Sequence, residues 1–88
     1  MNKEELKKAL DQEQVDPRYY SLNGLDNPSY NDTIILDKEN NKWFVYYYER
    51  GKKYDMHVFM TEEEACLFLF KWITRNTLTR IYNQRYKT

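Results

Sequence analysis

The clearest pattern in the chain is a pair of apolar runs on either side of a charged, glycine-containing turn, within the stretch WFVYYYERGKKYDMHVF. Trp43–Glu49 predicts a strand, ERGKK predicts a reversal, and Tyr54–Met60 predicts a returning strand. A short β-branched run, Thr33–Leu36, comes earlier and is separated from them by the polar turn DKENNK. We therefore expect three strands in an antiparallel meander.

Two segments with helical spacing flank the predicted strands. The first runs from Asn2 or Lys3 to Leu10, with acids in its first turn and lysines in its last. The second begins after Thr61, because Thr61 and Glu64 have the spacing of a capping box. This second helix is expected to run from Glu62 to about Arg75. Its apolar face would consist of Ala65, Cys66, Leu69, Trp72 and Ile73.

Two further segments are harder to assign. RYYSLNGLDNPSYND, residues 18–32, contains the Asn-Gly and Asn-Pro signals of an extended loop, yet its large side chains suggest that it packs over the core. The last residues, TRNTLTRIYNQRYKT, either continue the second helix or begin another, with a kink or break near Asn76. The predicted class is α+β, a three-stranded antiparallel meander covered by helices in the order α-β-β-β-α, with a possible final helix. A chain of 88 residues is expected to form a single domain, residues 1–88.

Alternation along the strands divides the aromatic residues between two faces of the sheet. We expect the helices to cover one face, which would carry Trp43, Val45, Tyr47, Met56 and Val58. The opposite face would carry Phe44, Tyr46, Tyr48, Asp55, His57 and Phe59. One layer of helices does not explain this second face. Three alternatives remain open for this face. The N-terminal helix and the loop of residues 18–32, which we call the Tyr-rich loop, bury it; a second copy of the chain pairs with it; or a partner binds it.

The composition is rich in the residues found on that face. Aromatic residues make up 17% of the chain, and nine of them are tyrosine. Tyrosine suits both a small core and a recognition surface. The formal net charge is zero, so no global field favours nucleic acid. Charge is nevertheless separated, with −5 between Asp11 and Asp37 and +5 from Ala65 to the end. The simplest interpretation is that these two segments lie near each other, although a partner is able to use either.

The sequence shows no motif for catalysis, cofactor binding or metal binding. It lacks a phosphate-binding loop, a paired-histidine zinc pattern, a nucleophile elbow and a CxxC motif. His57 and Cys66 are expected on opposite sides of the sheet, which argues against a nucleophilic pair. Cys66 is expected to be a small buried hydrophobe. With no signal-like apolar segment at the N-terminus and no membrane span, the cytoplasm is the expected location.

A nucleic-acid-binding or regulatory module is an alternative function. Its cues are the basic loop RGKK, residues 50–53, and the expected surface tyrosines Tyr46 and Tyr48, because single-strand binding sites combine cations with stacking aromatics. Turn lysines also keep sheet edges soluble, which is the simpler explanation of RGKK.

The segment KWFVYYYERGKKYDMHVFMTEEEACLFLFKWI resembles the small immunity proteins of bacterial polymorphic-toxin and contact-dependent inhibition systems. Some of these carry a W-x-V-Y-Y-x-E-R-G-x-K hairpin, a strand ending in Phe, and an acidic cap leading into E-A-C. The matching residues are Trp43, Val45, Tyr46, Tyr47, Glu49, Arg50, Gly51, Phe59, Glu63, Glu64, Ala65 and Cys66. The resemblance covers residues 41–73, and the first forty residues match only loosely through YYSLNG. Phe44 and Tyr48 stand where polar residues are expected in that family.

The resemblance implies a non-catalytic cytoplasmic protein that binds the toxic C-terminal domain of a cognate partner and blocks its active site or substrate path. If that toxin is a nuclease, the acidic segment between Asp11 and Asp37 would suit its basic cleft. The partner is thus expected to be a protein, with nucleic acid and membrane not expected, and the chain itself to be a monomer or homodimer. The candidate partner-binding residues are Phe44, Tyr46, Tyr48, Asp55, His57, Phe59, Asp26, Tyr30 and Asp32.

Overall fold

The computed structural model describes residues 1–75 and places a four-stranded sheet beside two helices. The strands are β1 (Tyr20–Ser21), β2 (Thr33–Glu39), β3 (Lys42–Glu49) and β4 (Lys52–Phe59), in that spatial order. β2, β3 and β4 form the predicted antiparallel meander. The α+β class is therefore confirmed, and the three-strand count is wrong by one short strand.

The additional strand lies in the segment that the sequence predicted as a loop. Asp16 caps a 3₁₀ turn at Pro17–Tyr19, and the chain then pairs β1 in parallel with β2, with Tyr20 opposite Ile34 and Ser21 opposite Ile35. A two-residue parallel pair has no periodicity to detect in a sequence. The sheet is consequently mixed rather than wholly antiparallel.

Two tight turns set the register of the meander. Asn40 and Asn41 join β2 to β3, and Arg50 and Gly51 join β3 to β4, with φ positive at all four residues. Positive φ at both central residues matches the right-handed twist of paired strands, and asparagine and glycine adopt it most readily. The asparagine-rich turn and the glycine reversal are thus confirmed.

Both helices begin at side-chain caps. Helix α1 (Lys3–Gln12) has Asn2 as its N-cap, whose side chain accepts from the Glu5 N–H at 2.8 Å while the Glu5 carboxylate accepts from the Asn2 N–H at 2.9 Å. Helix α2 (Glu62–Arg75) begins after Thr61, whose Oγ1 accepts from the Glu64 N–H at 3.2 Å. The predicted start of α2 is confirmed, and the chain is helical through Arg75, the last residue that the structure describes. The expected kink or further helix beyond Asn76 lies outside the described residues.

The main core fills the space between the helices and one face of the sheet. Helix α2 contacts β2, β3 and β4 and packs on α1. The buried side chains include Leu6, Leu10, Ile34, Leu36, Trp43, Val45, Ala65, Cys66, Leu69 and Ile73. Neither helix described in residues 1–75 is long and apolar enough to cross a membrane.

Candidate partner-binding surface

A second, smaller core lies on the face of the sheet away from the helices. Ile35, Tyr46 and Tyr48 are buried there, and Leu25, Tyr30 and Phe44 pack against them. Leu25 and Tyr30 belong to the Tyr-rich loop, so this loop covers the β2–β3 half of the outer face. Tyr46 and Tyr48 are only 1% and 6% exposed, so neither ring is available at the surface. Of the three alternatives for this face, burial by the chain's own N-terminal region accounts for these two tyrosines.

Polar contacts fix the Tyr46 side chain in its buried position. Its hydroxyl donates to Asp37 Oδ2 at 3.2 Å, and the Lys53 Nζ lies 5.0 Å from the centre of its ring. Burial, together with the nearby Asp37 carboxylate, raises the pKa of Tyr46 above its ordinary value. These contacts suit a structural residue that lies beneath the loop.

Most of the carboxylates in the acidic segment have hydrogen-bond partners within the chain. The Tyr30 hydroxyl donates to Asp26 Oδ1 at 2.6 Å, and the Tyr47 hydroxyl donates to Asp32. Asp11 accepts from the Lys7 ammonium at 2.7 Å. The Asp26 bond raises the pKa of Tyr30. Asp26 and Tyr30 thus lie on the covering loop. Asp32, at the end of that loop, is half-buried and is linked to β3 by its hydrogen bond with Tyr47.

Strand β4 has the opposite phase to the one predicted, because it contains a β-bulge. Val45 pairs with His57 and Tyr47 pairs with Tyr54, so Asp55 and Met56 together stand opposite Tyr46. Asp55 adopts φ +53°, in the left-handed region. One extra residue reverses the facing of every side chain that follows it.

The bulge moves His57 and Phe59 to the helix side of the sheet. The centre of the His57 ring lies 4.5 Å from the centre of the Phe68 ring and 5.8 Å from that of Trp72. The ring centres of Phe59 and Phe68 are 5.1 Å apart. The predicted placement of His57 and Phe59 on the outer face is therefore wrong. A shallow groove of about 440 Å³ runs between β4 and α2 at this point. It is lined by Asp55, His57, Phe68, Lys71 and Trp72.

The same bulge turns Met56 and Val58 outward, which corrects their expected place under the helix. Val58 pairs with Phe44 of β3 on the outer face. Met56 is 47% exposed and Val58 53% exposed, and Met60, which follows the strand, is 69% exposed. We call Phe44, Met56 and Val58 the outer patch. It is the part of the outer face that the Tyr-rich loop leaves uncovered.

The structure also corrects the expected separation of His57 from Cys66 by the sheet, since both residues now lie on the helix side. Cys66 is completely buried, and burial raises the pKa of its thiol to about 11. A thiol with that pKa stays protonated near neutral pH, and the thiolate is the nucleophilic form. The pair therefore lacks the activated sulfur that catalysis needs. Within residues 1–75, no three His, Cys, Asp or Glu side chains are grouped so as to hold a metal ion.

The nine candidate residues divide into five groups in the structure. Tyr46 and Tyr48 are core, Asp26, Tyr30 and Asp32 belong to the loop network, and Asp55 with His57 lines the groove. Phe59 packs into the main core, and Phe44 alone contributes to the outer patch. Sequence analysis missed Met56 and Val58. The available signal was Asp55, a residue that is rare within strands and tolerates the left-handed region.

No protein-family model, curated protein or solved structure gave a match to the chain.

Proposed function

We propose that this chain is a protein-binding domain, and that its partner is the toxic domain of a cognate bacterial toxin that it neutralises as an immunity protein. The outer patch is the observation that carries the binding function. Met56 and Val58 are about half exposed on the outer face, beside Phe44. Apolar side chains gathered on one open surface of a small protein are typical of interaction sites. The toxin as partner rests on the resemblance of residues 41–73 to immunity proteins.

Charge at the two ends of β4 supports a protein partner. Arg50, Lys52 and Lys53 lie at one end of β4, and Glu63 and Glu64 follow its other end. A charged rim around apolar residues raises the association rate and orients the partner, while the apolar centre provides most of the affinity. We therefore place the contact on the outer patch, with the ends of β4 as its rim.

The nucleic-acid alternative depends on Tyr46 and Tyr48 as exposed rings, and the structure does not expose them. Stacking on bases requires exposed rings, and Tyr46 and Tyr48 are buried beneath the Tyr-rich loop. The Lys53 ammonium lies over the Tyr46 ring and so occupies the place where a base would stack.

Co-expression with the toxic domain encoded beside this chain tests the proposal. We expect protection of the host and an isolable complex. Met56→Glu and Val58→Glu should each weaken the complex at least tenfold, since a charge must then lose its hydration at the interface. Leu67→Glu is the matched control, because Leu67 is 45% exposed on α2, away from the outer patch.

Two results would count against the proposal in different ways. An unprotected host with no complex would refute the immunity function. Protection that survives both outer-patch substitutions unchanged would refute the choice of surface. Far-UV circular dichroism of each variant checks that the substitution leaves the secondary structure intact, so that a loss of binding is not a loss of folding.

A further inference from the structure

We propose that β4 also pairs with β4 of a second copy of this chain, antiparallel and about a two-fold axis at Val58, to form a continuous eight-stranded sheet. The starting observation is that β4 is the last strand of the sheet, bonded only to β3 among the described strands. All its residues from Lys52 to Val58 are exposed, and Phe59 is half-buried. An edge strand offers a row of backbone donors and acceptors to any extended chain.

The two halves of β4 differ in how well they resist such pairing. The first half carries Lys52, Lys53 and the bulge at Asp55, and lysines and bulges are devices that block edge-to-edge association. The second half, residues 56–59, is regular and has the sequence MHVF, and Met60 follows it at a bend. It contains neither a lysine nor a bulge, so pairing is open in this half alone.

Symmetry and side-chain chemistry then select the register. When a strand pairs with its own copy about a two-fold axis, the axis must pass through a residue, because donors have to face acceptors on both sides. An axis at Val58 places Val58 opposite its own copy. It sets His57 opposite Phe59 on the helix side. On the outer face it sets Met56 opposite Met60, the first residue after the strand. Every cross-strand pair in this register is apolar or aromatic, which is the kind that stabilises sheets. An axis at His57 would instead place Asp55 opposite Phe59.

Charge at the two ends of β4 indicates a second copy as the occupant. Arg50, Lys52 and Lys53 precede the regular half, and Glu63 and Glu64 follow it. Antiparallel pairing brings the basic end of one copy beside the acidic end of the other, and symmetry repeats this contact. Opposite charges at both ends favour this orientation and disfavour the parallel one. The strand is thus electrostatically complementary to itself.

Sedimentation velocity of the purified chain, over a range of concentrations, tests the dimer without any toxin. We expect a concentration-dependent monomer–dimer equilibrium. Lys52→Glu should weaken the dimer about tenfold, because the reversed charge enters both symmetric contacts. Glu63→Lys should do the same, since the partner of Glu63 among residues 1–75 is the N-terminal ammonium, at 3.3 Å. The double variant, with both charges exchanged, should recover most of the loss.

A cysteine at the axis tests the register itself. Directly opposed residues in antiparallel strands have Cα atoms about 4.5–5.5 Å apart, which suits a disulfide. Val58→Cys should therefore form a covalent dimer under mild oxidation. Leu67→Cys, on α2 and 45% exposed against 53% for Val58, should not. A chain that stays monomeric at every concentration and gives no more crosslinking at Val58 than at Leu67 refutes the dimer. That result leaves the toxin-binding proposal untouched, because the two are measured in separate experiments.

Discussion

Three tyrosine hydroxyls of this protein donate to carboxylates between residues 26 and 37. Tyr30 bonds Asp26, Tyr47 bonds Asp32 and Tyr46 bonds Asp37. Each bond connects a large ring to a side chain near the Tyr-rich loop or β2. The sequence showed an excess of tyrosine and a local excess of acid, and either feature could serve the fold or a partner. Side-chain pairing shows that much of both belongs to one structural network.

Tyr46 gives the sharpest test at the residue scale, because alternation along β3 puts it on the outer face and the Tyr-rich loop buries it there. Tyr46→Ser should lower the free energy of unfolding by about 3–5 kcal/mol, as loss of a buried aromatic ring does. Tyr46→Phe keeps the ring and should cost only about 1 kcal/mol, for the lost hydrogen bond to Asp37. Urea unfolding followed by circular dichroism measures both. A serine variant as stable as the parent would show that the loop does not bury this ring.

At the scale of elements, the bulge in β4 decides which side chains reach solvent. One extra residue at Asp55 moves His57 and Phe59 towards α2 and exposes Met56 and Val58. The outer patch exists only because of this irregularity. The same bulge confines the regular, unprotected part of the edge strand to residues 56–59. Both proposals therefore depend on the backbone conformation of a single residue.

The backbone of Asp55 provides the element-scale prediction. Its φ of +53° is unfavourable for a β-branched side chain and easy for glycine. Asp55→Val should therefore destabilise the fold by about 1–2 kcal/mol, while Asp55→Gly should leave stability unchanged or slightly higher. Thermal and urea unfolding compare the two. Equal stability of the Val and Gly variants would mean that the strand continues through Asp55 without a bulge.

The caps and turns show how much of each element follows from local sequence. Asn2 and Thr61 fix the starts of the helices, and the Asn40–Asn41 and Arg50–Gly51 turns fix the meander. These features involve residues only a few positions apart, so the sequence predicts them well. β1 escaped prediction because its two residues are held by a parallel partner more than ten positions away.

For the molecule as a whole, stability should depend on pH through the buried Asp16. Its carboxylate accepts from the Arg18 side chain at 2.7 Å and 3.0 Å and from the Arg18 N–H at 3.0 Å. The bond to the Arg18 side chain, more than the backbone bond, lowers the pKa of Asp16 below its ordinary value, against the opposing effect of burial. The folded state therefore releases this proton more readily than the unfolded state does.

A lowered pKa means that the stabilisation is fully present above the unfolded pKa, about 3.9, and is lost as the pH falls through the lower folded value. We expect the free energy of unfolding to drop below about pH 4. Asp16→Asn should reduce stability at neutral pH and flatten this part of the profile. Urea titrations at several pH values measure the free energy of unfolding of both proteins. A profile of the same steepness in the Asn variant would assign the acid sensitivity to other carboxylates.

The two faces of the sheet differ in how far the rest of the chain covers them. The helices cover one face, and the Tyr-rich loop covers the β2–β3 half of the other. Residues 1–75 leave the outer patch and β4 uncovered, side by side. A dimer formed through β4 would place two outer patches next to each other across the axis, so the surface offered to a toxin domain would be twice as wide.

The sequence by itself determined the α+β class, both helix starts, the two hairpin turns and the meander of β2, β3 and β4. Each of these depends on periodicity or on residues close together in the chain, where propensity and capping act directly. Only the tertiary structure decided which aromatic residues are exposed. Burial depends on the bulge that reverses the phase of β4 and on a loop folded back from residues far away in sequence, and neither leaves a periodic signal.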